Sequence, residues 1–258
     1  MFAFSAAELI SLVSGYMWVL FRIGSMVMTM PVIGTQLLPM RIRLYLAIML
    51  TFMVAPYIPP VPQLDVLSLT SWLLIGEQIL IGAAMGFLLQ LLFQIHVLAG
   101  QIIAMQMGLG FASMNDPAMG ISVAVVSQVF TMLVTLLFLA MNGHLVAIEV
   151  LAESFVTLPI GETLRVADFY TLVLRFSWVM AAALLIGLPA VTALLIVNLS
   201  FGVMMRAAPQ LNVFSIGFPL TLCLGLFIIW VLLGNMVESY QLLLGEALIW
   251  LREMVGAG

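Results

Sequence analysis

Charged residues are so widely spaced along this chain that Gln78–Asn115, Pro117–Ile148, Phe176–Met205 and Ala207–Val237 contain none. A run of about 20 apolar residues is long enough, as a helix, to cross the hydrocarbon core of a bilayer. Bounded by proline, glycine and the few charges, the apolar pattern predicts six helical segments. They cover roughly Leu9–Ile33, Leu44–Ile58, Trp72–Ala99, Val123–Met141, Leu172–Val197 and Phe214–Val237. At about 1.5 Å per residue the second is marginal as a span. Pro31, Gly34 and Pro39 end the first segment, and Pro56, Pro59, Pro60 and Pro62 end the second, favouring an extended linker. Asn142-Gly143 and Pro159-Ile160-Gly161 punctuate the connection after the fourth.

Composition turns these segments into a fold class. The chain is 65% hydrophobic and 7% charged, with seven arginines and no lysine. About a quarter of a soluble domain is charged, so this surface cannot all face water. The expectation is an all-α, polytopic integral membrane protein, read as one domain over residues 1–258. A net charge of −4 leaves no basic patch for nucleic acid. Cys223 has no partner for a disulfide and no metal-ligand spacing around it, so neither cofactor nor metal is expected. No zincin, nucleophile-elbow or P-loop motif is present, and the chain reads as no enzyme. The first charge is Glu8, which does not suit a secretory signal. Arg41, Arg43 and Arg206 fall on one side of an alternating drawing. Asp65, Glu149, Glu153, Glu162, Arg165 and Asp168 fall on the other, and positive-inside counting then puts both termini outside the cytoplasm.

Several polar residues sit where such a chain should have none. Arg22 lies mid-segment, where an arginine costs about 2.5–3.5 kcal/mol unless it meets a partner, a cavity or water. It suits either a structural ion pair inside a bundle or the lining of a polar conduit. Glu77 and Gln78 open the third segment on the same logic. Gln90, Gln94 and Gln101 share one helix face at about 100° per residue, as inter-helix hydrogen bonds or substrate contacts. Gly82 and Gly86 form a small-xxx-small pair that admits another backbone. His96 lies off the glutamine face and reads as packed. The stretch Gly108–Pro117, with Gly120 after it, cannot continue a stable helix, yet it lies between strongly apolar segments. Irregular backbone at that depth fits a pore-facing loop. Glu149 and Glu153 share a helix face and read as the solvated end of the fourth helix.

The string Asn198-Leu-Ser-Phe-Gly-Val-Met-Met-Arg206-Ala-Ala-Pro209-Gln-Leu-Asn212-Val-Phe-Ser-Ile-Gly217-Phe-Pro219-Leu-Thr resembles the signature of the FliR family of flagellar type III export-gate proteins. So do Gly108–Pro117, Asn142-Gly143-His144 and Pro31-Val-Ile-Gly34 followed by Leu38-Pro-x-Arg41-x-Arg43. Injectisome relatives tend to carry lysine after the proline that corresponds to Pro219; here Leu220-Thr221 follows, which favours the flagellar branch. The resemblance implies a non-enzymatic subunit that assembles with FliP and FliQ into a channel for unfolded flagellar subunits. It also implies bent hairpins in a helical assembly in the inner membrane, at the flagellar basal body. FlhB is expected as a separate partner, since the sequence stops at Gly258, and FlhA as a further one. The residues Gly110, Phe111, Ala112, Ser113, Met114, Asn115, Asp116 and Pro117 occupy the place of a family plug. Arg22, Glu77, Gln90, Gln94, Gln101, Arg206, Pro209 and Asn212 are expected to be buried or to contact partners. Pro209 and Pro219 are expected to bracket a short turn between two hydrophobic helices. A small-solute secondary transporter is the alternative, since it too uses broken helices and buried charges.

Overall fold

The structure is a computed structural model that describes residues 6–36, 38–59, 68–109, 124–162, 166–207 and 213–256. Among these are seven α-helices and no strand: α1 Ala6–Thr29, α2 Met40–Val54, α3 Leu69–Gln106, α4 Val125–Ala140, α5 Gly143–Thr157, α6 Val166–Ala207 and α7 Val213–Met254. A 3-10 turn, Ala55–Tyr57, extends α2. The all-α membrane class stands. By length and apolarity four helices could cross a membrane, or five if the bent pair α4 and α5 counts as one span.

The apolar segments mark the right places but the wrong ends. α3 runs to Gln106, seven residues past the segment drawn for it, and α7 runs to Met254 through Glu238, Glu246 and Arg252. Charge stops a transmembrane pattern, but helical hydrogen bonding continues through it. The expected turn between Pro209 and Pro219 is also corrected. Val213 already begins α7, so Gly217 and Pro219 are helical, while Pro209 and Asn212 lie outside the described residues. Pro219 removes one N–H, whereas unwinding the helix there would strand several backbone groups where water cannot reach them. Residues 143–157 form a helix of their own, starting after Asn142, which takes a left-handed φ of 58°. Asparagine tolerates that conformation well, which is why the break falls there.

The chain divides into two compact units, and α3, α6 and α7 each contribute to both. Unit 1 comprises residues 1–91, 142–175 and 244–258. In it α1 ends before Pro31, and Gly34 N–H donates to the Met30 carbonyl at 2.9 Å. A Cβ at Gly34 would collide with the carbonyls of Met28 and Met30, so this turn needs glycine. Arg43 ties the turn off, donating to the carbonyls of Leu38 (3.1 Å) and Gly34 (3.2 Å). Tyr16 and Phe52 then pack α1 on α2 with ring centroids 5.4 Å apart. The small-residue pair on α3 does what its spacing suggested. Gly82 lies against the Arg22 carbonyl and the Ser25 hydroxyl, and Gly86 against Thr29, Met30 and Met26.

Unit 2 comprises residues 92–141 and 176–243. Gly100 of α3 lies directly on Ser127 of α4, and the Ser127 hydroxyl donates to the Val97 carbonyl at 2.9 Å. Phe93 and Phe138 meet edge to face at 5.5 Å. Pro189 lies inside α6 without ending it, and the Thr192 hydroxyl reaches back to the carbonyls of Leu188 and Pro189.

The close approach at Gly82 yields an opposed pair of substitutions. Gly76→Ala, on the same helix with open space around it, should stabilise by up to about 1 kcal/mol through helix propensity alone. Gly82→Ala has the same propensity gain but should destabilise by about 1–3 kcal/mol through overpacking against α1. Thermal unfolding of the two variants in detergent checks the opposite signs; a gain at Gly82 would mean that α1 is not held there.

Candidate functional site

Arg22 is the centre of unit 1. Trp18, Arg22 and Met26 are spaced i, i+4, i+8 on α1, and all three are buried, Arg22 completely. The spacing puts them on one helix face and turns the arginine inward with the apolar residues. Its Nε donates to Gln78 Oε1 of α3 at 2.7 Å. Its Nη1 donates to the Ser154 carbonyl (2.8 Å), the Ser154 hydroxyl (3.2 Å) and the Leu158 carbonyl (3.0 Å). The Phe155 ring lies under the guanidinium, 4.4 Å from Cζ to centroid.

These acceptors are uncharged, so the compensation comes from geometry. Ser154 and Leu158 belong to the last turn and C-cap of α5. Carbonyls near a helix C-terminus carry the negative end of the macrodipole; the Ser154 carbonyl also accepts the Leu158 N–H at 3.0 Å, so Arg22 is its second donor. Arg22 therefore caps α5 from within the protein while crossing to α3. Each hydrogen bond to a charged group contributes about 1.5–3 kcal/mol, so these bonds offset much of the cost of burying the cation, although Nη2 has no hydrogen-bond partner among the described residues. The Ser154 hydroxyl completes the joint by donating to the Leu151 carbonyl at 2.6 Å.

Arg22 makes a buried contact inside unit 1, but not the ion pair expected, since the acceptors of its hydrogen bonds are all uncharged. Its partner on α3 is Gln78 rather than Glu77. Gln78 is fully buried and Glu77 half-buried, with a buried Oε2 that has no hydrogen-bond partner among the described residues. Both lie well inside α3, which starts at Leu69 and not at the charge. Ser154 and Leu158 carried no sequence signal, because one offers a hydroxyl and both offer main-chain carbonyls. Gln90, Gln94 and Gln101 are half-buried along α3, and Arg206 is exposed in the last turn of α6. The expected plug, Gly110–Pro117, lies outside the described residues. His96 is packed, as its position off the glutamine face suggested.

A second polar cluster lies at the end of α7. Glu149 and Glu153 do share a face, but of α5, and Arg252 reaches both at 3.9 and 3.7 Å. Arg175 stacks on Trp250, 3.8 Å from Cζ to centroid, and approaches Glu253 at 3.9 Å. With Asp168 and Thr171 these line a cavity of about 240 Å³. Half-exposed pairs of this length contribute at most about 1 kcal/mol each, so they trim rather than build the unit. Among the described residues no group of three His, Cys, Asp or Glu side chains is placed to hold a metal.

Comparison with known sequences agrees with the resemblance. The family described as bacterial export proteins, family 1, matches residues 13–247. The chain belongs to this family. It is 40% identical over 243 residues to the flagellar biosynthetic protein FliR of Escherichia coli K12, covering 93% of this chain and 92% of the relative. The FliR of Pectobacterium carotovorum is 38% identical over 90% of the chain, and that of Aquifex aeolicus 37% identical over 81%. As a member of the export family with apolar helices of this length, the chain is a membrane-embedded component of the flagellar export apparatus.

The family does not by itself say what Arg22 does; the joint does. Arg22→Leu strands the carbonyl of Leu158 and the side chain of Gln78, and should destabilise by about 3–5 kcal/mol despite being more apolar. Arg22→Lys keeps the charge but loses the fork that serves α3 and α5 together, and should recover only part. Limited proteolysis of unit 1 and the yield of folded protein measure both; an Arg22→Leu protein as stable as the parent would remove the joint from the account.

Proposed function

We propose that this chain is a non-enzymatic subunit of the flagellar type III export gate in the bacterial inner membrane, at the flagellar basal body. It assembles with FliP and FliQ into the channel for unfolded flagellar subunits, and FlhB and FlhA are further partners. The observation that carries this reading is 40% identity, over nearly the full length of both chains, to a flagellar biosynthetic protein FliR. Two structural facts support it. The most apolar windows of α6 and α7 are only 33% and 11% buried within the chain, so most of that surface needs lipid or protein around it. Furthermore, α6 and α7 have 42 residues each, about 63 Å at 1.5 Å per residue, against a hydrocarbon core of about 30 Å. Helices twice the bilayer thickness and apolar almost throughout suit an assembly in which subunits cover one another beyond the membrane. A transporter that works alone would face its long helices into lipid.

Purification with and without FliP and FliQ separates the two readings. A gate subunit should aggregate or be degraded alone and be recovered as a stable complex with them. Monodisperse protein that ignores FliP and FliQ would support the transporter. Within the gate reading, residues 110–117 plug the closed channel. Deleting Gly110–Gly120 should make the membrane leak ions when the assembled complex is expressed; unchanged permeability removes the plug assignment.

Arg206, exposed beside the apolar end of α6, is the docking residue in this reading, paired with a carboxylate of a neighbouring subunit. Arg206→Lys preserves a topogenic charge but not a bidentate fork. Swimming and recovery of the complex should both fall in this variant; if both are normal, Arg206 serves topology alone.

A further inference from the structure

We propose that unit 2 contains a bound-water site, in a cavity of about 170 Å³ whose principal acceptor is His96. The cavity is formed by α3, α4, α6 and α7, with His96, Phe130, Leu185, Pro189, Asn235 and Ser239 among its walls. His96 is 1% exposed, and its Nδ1 lies 3.2 Å from the Leu92 carbonyl. A carbonyl can only accept, so Nδ1 carries the proton and the neutral ring turns a lone pair outward at Nε2. That Nε2 is buried and has no hydrogen-bond partner among the described residues. Tyr240, packed against His96 with ring centroids 5.7 Å apart, is fully buried, and its hydroxyl has none either.

Two orphaned polar atoms on touching rings are rare in a folded interior, because each forfeits the hydrogen bonds it made in water. Other groups around the cavity share the need. Pro189 has no N–H to give the Leu185 carbonyl one turn back, and both residues line the cavity. Asn235 and Ser239 add an amide and a hydroxyl on α7. The rim is apolar and exposed at Leu185 and Pro189, so a lipid chain could cover the opening but could not satisfy the floor. The ligand must donate to an imidazole nitrogen and a carbonyl and also reach the phenol of Tyr240, which packs on the His96 ring although it is not itself among the lining residues. Water does all three, and at about 30 Å³ per molecule several fit. Bound there, they would link α3, α6 and α7 across the point where Pro189 interrupts the α6 ladder.

X-ray radiolytic footprinting of the chain in its FliP–FliQ complex, in lipid nanodiscs, tests this directly, because hydroxyl radicals formed on bound water mark the side chains beside it. His96 and Tyr240 should be labelled despite their burial, while Phe138, equally buried in the same unit, stays unlabelled. His96→Phe should abolish the Tyr240 label. Labelling of His96 and Tyr240 no greater than that of Phe138 overturns the proposal and gives the cavity to a lipid chain or an apolar side chain. The sign of Tyr240→Phe is a second reading. If water bonds the hydroxyl, removing it lowers the melting temperature of the complex; in a dry cavity it removes an unpaired polar group and leaves that temperature unchanged or higher, which also overturns the site.

Discussion

A full positive charge held out of water, with acceptors that are all uncharged, is the constraint around which unit 1 is arranged. Arg22 is met where α5 ends, and the carbonyls of that last turn and cap carry the negative end of the helix dipole. Arg22 also requires that α3 approach α1 closely enough to bring Gln78 within 2.7 Å. That approach is set four residues later by Gly82, whose missing side chain leaves room for the carbonyl of Arg22 itself. One arginine thus makes three demands, on a helix end, a glutamine and a glycine, the first met by α5 and the other two by one turn of α3. The demand is what gives a surface-poor, almost chargeless sequence a specific register between α1 and α3, where apolar contacts alone would tolerate sliding.

Outside that joint the chain is economical with polar contacts and generous with exposed apolar surface. Serine and threonine hydroxyls mostly return to the carbonyl three or four residues back, as at Thr29, Thr51, Thr131, Thr192 and Ser200. This is how a helix in a non-aqueous setting disposes of a hydroxyl. The long helices α6 and α7 keep their outward apolar residues uncovered, Leu185, Leu195, Ile196 and Leu199 on one and Leu226, Phe227 and Trp230 on the other. In water such surfaces would aggregate. In a membrane-embedded protein they need lipid or protein around them.

The class of the protein was legible in composition, because 7% charge cannot clothe a soluble fold of this size. The arginine at position 22 was legible as a buried contact, and the Gly82–Gly86 pair as a close approach, since both depend on local cost that a sequence displays. Helix ends were less legible. Segment limits followed hydropathy, whereas the ends of α3 and α7 follow backbone hydrogen bonding, which charges such as Glu238 and Glu246 do not interrupt. Pro219 misled for the same reason, a missing N–H being cheaper than an unwound helix.

What the sequence determined by itself, then, was an environment and a family: long apolar runs that must lie among lipid or protein, and signature strings that lead to the flagellar export apparatus. What tertiary structure decided was partnership. A side chain's cost of burial is written in its own chemistry, but the groups that relieve it lie 56 and more than 130 residues away for Arg22, and two of them are main-chain carbonyls present at every residue. Nothing in a string of letters distinguishes the carbonyls of Ser154 and Leu158 from their neighbours until the helix ends there and brings both to Arg22.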